Sequence, residues 1–164
     1  MRTKNILLLL VMILSLSACG FHLRSSQIHL HTKYPTILLP PSGSNTFHQA
    51  LRRSLLAAKV RVISKVTNEM DAQVPKLMVT SQQTTERPLV YGPDAELRRE
   101  RMRMAVAFSF SSKPALEFEL STERDRQLNS NQHLGDNAEK ILLEQEMQAD
   151  IINQLLRILA YKNS

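Results

Sequence analysis

Tryptophan is absent from this chain, and cysteine occurs once, at Cys19. With no second cysteine there is no intramolecular disulfide, even in an oxidising compartment. Aromatic residues make up 5% of the sequence, and no platform of interleaved basic and aromatic residues is present to read nucleic acid. Glycine is found only four times. No Gly-rich phosphate loop, zinc-helix motif or nucleophile elbow occurs. Serines are plentiful, but none has a recognisable partner constellation, so we expect no enzyme and no cofactor. His29 and His31 fall on one side of an extended chain, yet no cysteine or nearby carboxylate completes a four-ligand set. A metal is therefore not expected.

What the chain does have begins at its start. Arg2 and Lys4 precede an unbroken apolar run, residues 6–14, which is followed by the small residues Ser15, Ser17 and Ala18. Charged, apolar and small-residue regions in that order make an export signal. An apolar run this short rises only about 14 Å as a helix, far less than a hydrocarbon core of roughly 30 Å. It is not a lasting span, and nothing resembles a second one. Leu16-Ser17-Ala18-Cys19 has the Leu–small–small–Cys pattern of a bacterial lipobox. We therefore expect a signal peptide over residues 1–18, acylation of Cys19, and a single domain over residues 19–164. Multiple acyl chains anchor firmly where one is marginal. Gly20 follows Cys19 where inner-membrane retention would call for Asp, which favours the outer membrane. The plain alternative is a buried or leftover cysteine beside an ordinary cleavage site.

Periodicity organises the rest. Residues 36–39 read as a short buried strand, stopped by Pro40-Pro41-Ser42-Gly43. A helix over 45–59, capped by Ser44 or Asn45, places Phe47, Leu51, Leu55 and Ala58 on one stripe. Residues 60–66 and 76–85 read as strands, the latter with Leu77 and Val79 on one face. In 95–111, Met102, Met104, Val106, Phe108 and Phe110 share one face, and Arg99, Arg101, Arg103, Ala105, Ala107 and Ser109 the other. Residues 115–124 return as a hairpin partner with a buried and a wet face. After a polar loop over 127–135, a long helix is expected from Asn137 to Tyr161, with Asp136 as cap and Glu139 completing a capping box. Its apolar stripe is Ile141, Leu142, Met147, Ile151, Leu155, Ile158 and Leu159. Two amphipathic helices and about four strands imply an α+β two-layer sandwich, a sheet with one helix-covered face and one open face.

At Cys19-Gly20-Phe21-His22-Leu23-Arg24 the chain resembles the LPS-assembly lipoprotein family, LptE or RlpB, whose members read Cys-Gly-aromatic-His/Gln-Leu-Arg after the lipobox. The element order matches too, and Asp136-Asn137-Ala138-Glu139 with Glu146-Met147 resembles the start of the family's last helix. The resemblance implies a non-enzymatic outer-membrane lipoprotein on the periplasmic side. It would complex with the LptD β-barrel, sit partly inside its lumen as a plug, assist its assembly, and help place lipopolysaccharide in the outer leaflet. Lipopolysaccharide binding through basic residues is also implied. The family's basic position before the last helix is not matched here, where His133, Leu134 and Gly135 stand.

Arg98, Arg99, Arg101 and Arg103 are the candidates for lipopolysaccharide, because planar guanidinium groups suit lipid A phosphates. Against this, pairing of Phe108 with Phe118 would set Arg103 opposite Glu123 and Arg101 opposite Asp125, an internal neutralisation worth little. Arg98 and Arg99 would then be the less paired. Val90-Tyr91-Gly92-Pro93 reads as a loop tip, with Tyr91 a candidate partner contact. Phe21, His22 and Arg24 are candidate contacts with the barrel's periplasmic rim. The competing class is a free-standing ligand- or lipid-binding lipoprotein without a barrel partner. Nucleic acid is not an accessible partner for an exported, lipid-anchored chain.

Overall fold

The computed structural model describes residues 30–41, 45–67, 73–111, 115–128 and 133–161. The lipobox and Cys19, Phe21, His22 and Arg24 lie outside these residues. The order is α1 (Leu30–Lys33), β1 (Thr36–Leu38), α2 (Asn45–Ala57), β2 (Arg61–Ile63), β3 (Lys76–Tyr91), β4 (Leu97–Ser111), β5 (Leu116–Gln127) and α3 (His133–Tyr161). One five-stranded sheet runs β2-β1-β3-β4-β5. β1 pairs in parallel with β2 and, at Leu38 opposite Lys76, with β3. β3, β4 and β5 form an antiparallel meander.

The α+β class and the single helical layer match the periodicity. The sheet has five strands where about four were expected, because both short segments around α2 join it. Residues 30–33 form a helical turn and not the extended chain expected around His31. Of 60–66, only Arg61–Ile63 is strand. β4 begins at Leu97, two residues after the expected start. β3 continues six residues past the expected end at Thr85, and β5 runs to Gln127. The β3 extension, Glu86 to Tyr91, contains Pro88 and no apolar alternation, and Asp125, Arg126 and Gln127 of β5 are polar, so antiparallel neighbours hold both where patterning gives no signal.

Both helices cover one face. Phe47, Leu51 and Leu55 of α2 and Met147, Ile151, Leu155 and Leu159 of α3 are buried against the Met102–Phe110 row of β4. Phe108 stacks between Phe47 at 6.2 Å and Phe118 at 5.7 Å between ring centroids. At the other end Tyr34 meets Phe110 edge-on at 5.1 Å. Two helices end or begin differently from expectation. α2 closes with Lys59 at φ 62°, and Val60 N–H reaches back to Leu55 O at 3.1 Å while Lys59 N–H reaches Leu56 O at 2.9 Å. This is a Schellman closure with lysine in the place glycine usually takes. α3 starts at His133, so Asp136 lies inside its first turn and is not its cap. Its carboxylate still complements the positive end of the helix dipole. Ile141 and Leu142, assigned to the apolar stripe, are 57% and 55% exposed. The buried stripe passes through Met147 and Ile151 instead, and the first turns of α3 present another side to the sheet.

At this end a buried ion pair replaces apolar packing. Arg126 Nε donates to Glu100 Oε1 at 2.6 Å, with both side chains below 10% exposed. Arg126 Nη1 also donates to Asp136 O at 2.9 Å. The guanidinium thus ties β4 and β5 to the first turn of α3. Lys140 to Glu86 and Arg124 to Asp150 add further ion pairs between helix and sheet. Removing one partner of a buried pair leaves an uncompensated charge. Glu100→Ala is therefore expected to lower the urea-derived stability by about 3–5 kcal/mol, while Glu100→Leu with Arg126→Met lies near neutral. A closer result for the single and double variants would mean that water reaches the pair. Lys59→Gly should stabilise by about 1 kcal/mol by removing the left-handed strain, read by the same measurement.

Candidate functional site

The open face of the sheet is built by the same alternation that builds the core. In β4 the residues between the buried ones, Arg99, Arg101, Arg103, Ala105, Ala107 and Ser109, meet no helix. β5 adds Glu117, Glu119, Ser121, Glu123 and Asp125 by its register with β4. β3 is more involved. Its register slips between Val79 and Ser81, leaving Thr80 as an extra residue. Above this bulge Leu77 and Val79 face the helices. Beyond it the parity reverses, and Gln82, Thr84 and Glu86 lie opposite the inward Val106, Met104 and Met102. Gln83, Thr85 and Arg87 consequently stand on the open face.

The charges there are partly matched. Arg103 is in register with Glu123 and Arg101 with Asp125, as the hairpin pairing required. Arg101 grips Asp125 with two nitrogens, Nε to Oδ1 at 2.7 Å and Nη2 to Oδ2 at 3.1 Å. Arg99 reaches the same carboxylate at 3.4 Å. Glu123 is shared more loosely, 3.8 Å from Arg101 and 4.0 Å from Arg103. Arg99 and Arg98 were expected to be the less paired, and both have partners. Arg98 lies on the helix side of β4 and pairs with Asp94 and, at 3.3 Å, Glu96. It staples the tight turn between β3 and β4. The turn is tight at Gly92, where a Cβ would lie 2.9 Å from Arg98 Nε and would displace the Asp94 and Arg98 side chains. Val90 and Tyr91, read as part of the tip, are ladder residues opposite Arg99 and Leu97. The turn itself starts at Gly92. Tyr91 is 60% exposed at its base, next to the exposed Leu89 and Val90.

Sequence reasoning missed Arg87. It is the cross-strand partner of Arg101, and among the described residues its side chain makes no ion pair or hydrogen bond. Like charges directly opposite each other repel. Arg87, Pro88, Leu89, Arg101, Arg103 and Glu123 line a shallow cleft of about 230 Å³. A second cleft of similar volume continues along Gln83, Thr85, Arg87, Arg103, Ala105 and Glu119. Arg87 and Arg103 line both. Chemically, three guanidinium groups line the first cleft and, among the described residues, Glu123 is its one carboxylate, an arrangement able to receive a phosphate or carboxylate group. Among the described residues no cluster of side chains could hold a metal, and no helix is long and apolar enough to cross a membrane.

Comparison with known proteins assigns the fold and its role. The family LptE, described as lipopolysaccharide-assembly, matches residues 34–159, most of the chain. This chain belongs to the LptE family. Membership carries a role in lipopolysaccharide assembly, and the family is one of non-enzymatic lipoproteins. Solved structures agree on the fold. The rare lipoprotein B of Shewanella oneidensis is 19% identical, with a TM-score of 0.66 over 76% of this chain and 93% of that one. A lipoprotein B from Nitrosomonas europaea is 19% identical, with a TM-score of 0.62 over 77% and 83%. A minor lipoprotein from Acinetobacter baumannii is 17% identical, with a TM-score of 0.60 over 77% and 91%. Comparison with curated proteins finds no match.

The Asp125 carboxyl is held below its ordinary range, first by the hydrogen bond from Arg101 and then by the charges of Arg101 and Arg99. A depressed carboxylate stabilises the fold above its unfolded pKa, near 3.9, and that share is lost as pH falls through the folded value. Carbon-detected NMR of Asp125 should therefore give a midpoint below 3.9 that returns to the ordinary range in Arg101→Ala. An unmoved midpoint would contradict the two-nitrogen grip.

Proposed function

We propose that this LptE-family chain is a lipoprotein of the outer membrane, anchored at Cys19 on the periplasmic side, that complexes with the LptD barrel. It sits partly within the lumen, assists assembly of the barrel and takes part in placing lipopolysaccharide in the outer leaflet. Family membership over residues 34–159 carries this reading. Physical arguments are consistent with it. A chain of this length has a radius of gyration on the order of 15 Å, which only barrels of about 22 strands or more accommodate. Barrel interiors are polar, and the open face of the sheet, with its arginines and carboxylates on β4 and β5, is polar as well. Phe21, His22 and Arg24, next to the anchor, and Tyr91, at the far end of the sheet, are the proposed barrel contacts.

Within this function the open-face guanidinium groups are the proposed contact for lipid A phosphates. Arg99, Arg101 and Arg103 carry part of it, and Arg98 serves by holding the turn. Arg87 joins them because it has no carboxylate to release before meeting an anion.

Pulldown of the full-length lipoprotein from detergent-solubilised outer membranes tests the complex. One large β-barrel should co-purify in stoichiometric amount. A bound small ligand without a barrel would favour the free-standing carrier. For the lipid contact, Arg87→Thr should weaken lipopolysaccharide binding by about tenfold, since a hydrogen bond to a charged group contributes roughly 1.5–3 kcal/mol. The same change should leave stability unaltered or raise it by some tenths of a kcal/mol, because it relieves the Arg87–Arg101 repulsion. Unchanged binding in the folded variant removes Arg87 from the site.

A further inference from the structure

Charge is segregated along the chain. All 15 acidic residues lie at or after Glu69, whereas nine of the 21 basic ones precede it. In three dimensions this becomes a basic end. α2 packs beside β2, the strand at one edge of the sheet. Arg52 and Arg53 on the outer side of α2, Lys59 at its closure, Arg61 at the start of β2 and Lys65 just past it are all exposed. Among the described residues, none of these five side chains makes an ion pair or a hydrogen bond. Leu56, on the same side of α2, and Val66 are 50% and 52% exposed. The opposite edge, β5, carries Glu117, Glu119, Glu123 and Asp125.

The chain enters the domain at this same end. Thr36, the first residue of β1, is in register with Arg61, and Arg61 N–H donates to Pro35 O at 2.9 Å. Ten residues lie between Cys19 and Leu30, a link that stretches no further than about 40 Å. An acylated Cys19 therefore keeps the domain within that distance of a bilayer. The β3–β4 turn lies about 50 Å away along the sheet, since β3 runs parallel to β1 for 16 residues. Unpaired cations set beside apolar side chains make a surface suited to anionic lipid. The charges meet headgroup phosphates, and the apolar groups reach the acyl boundary.

We propose that the α2–β2 end docks on the anionic phospholipid headgroups of the leaflet that holds the Cys19 anchor. The inference rests on that anchor, proposed above, and adds an electrostatic signal that orients the domain. Acyl chains hold a protein to the membrane but leave it free to turn on its link. Five cations at one end remove that freedom, because each contributes about a fivefold preference for an anionic surface. The guanidinium groups of Arg52, Arg53 and Arg61 also match phosphate in shape. The carboxylates of β5, at the other edge, are repelled by the same surface. A bilayer is favoured over an acidic protein by the link, which holds the bilayer permanently within reach. Docking in this way carries the β3–β4 turn away from the leaflet.

The test reconstitutes the full-length acylated lipoprotein into vesicles. Its lipid blocks Cys19, so Ala57→Cys introduces one reactive thiol at the basic end for a polarity-sensitive fluorophore. In vesicles of equal parts phosphatidylethanolamine and phosphatidylglycerol the emission should shift to the blue. The shift should vanish in high salt and in pure phosphatidylcholine. The same fluorophore at Ser121→Cys, on the opposite edge, should remain in water. Adding Arg52→Gln, Arg53→Gln and Lys65→Gln together should lower the ratio of docked to undocked protein roughly a hundredfold, with co-flotation unchanged. Labelled protein that floats without a shift, or shifts equally in phosphatidylcholine, overturns the docking while the anchor stands. A shift that needs the LptD barrel in the same vesicles also overturns it, in favour of a protein partner. Protein that floats with no vesicle fails at the anchor, and the docking falls with it.

Discussion

The row Met102, Met104, Val106, Phe108 and Phe110 on one side of β4 is the constraint on which the rest of the molecule depends. β4 lies between β3 and β5, and both helices pack on this row. Because side chains alternate strictly along a strand, committing these five residues to the helices commits Arg99, Arg101 and Arg103 to the other face. The core and the cationic surface are two consequences of one periodicity. No change can move one without the other.

Electrostatics then divides the far end of the sheet into three situations. The buried Glu100–Arg126 pair closes the core and fixes the first turn of α3. Arg99, Arg101 and Arg103 are exposed and partly neutralised by Asp125 and Glu123, so their contribution to stability is small and they remain free to exchange partners. Arg87 faces Arg101 with no acid of its own. This like-charge contact disfavours the folded sheet slightly and leaves the Arg87 guanidinium on the open face without a paired carboxylate among the described residues.

The fold and its faces were legible in particular residues. The helical stripe of Phe47, Leu51 and Leu55 and the alternation of β4 and β5 identify the elements, and the Arg101–Asp125 and Arg103–Glu123 pairs follow from one assumed hairpin register. Other features were not legible. The last part of β3, Glu86 to Tyr91, carries Pro88, and its Val90 and Tyr91 read as a loop tip unless the antiparallel neighbour is known. Ile141 and Leu142 fit a helical stripe by spacing, yet the first turns of α3 lie at the rim, where Lys140 and Asp136 make the contacts.

By itself the sequence determined what is local: the period of the main elements, the face that α2, β4 and β5 bury, and the residues that resemble the LptE family. Tertiary structure decided what depends on pairing between distant segments. Counting by twos from Leu77 and Val79 would send Arg87 toward the helices. The extra residue at Thr80 reverses that parity and sends it to the open face, beside Arg101. The short β1 meets β3 only at Lys76, so among the described residues β3 pairs with β4 alone from Leu77 onward. A bulge and a strand order arise from which ladder satisfies the most backbone groups in three dimensions, and no pattern along a single strand records that outcome.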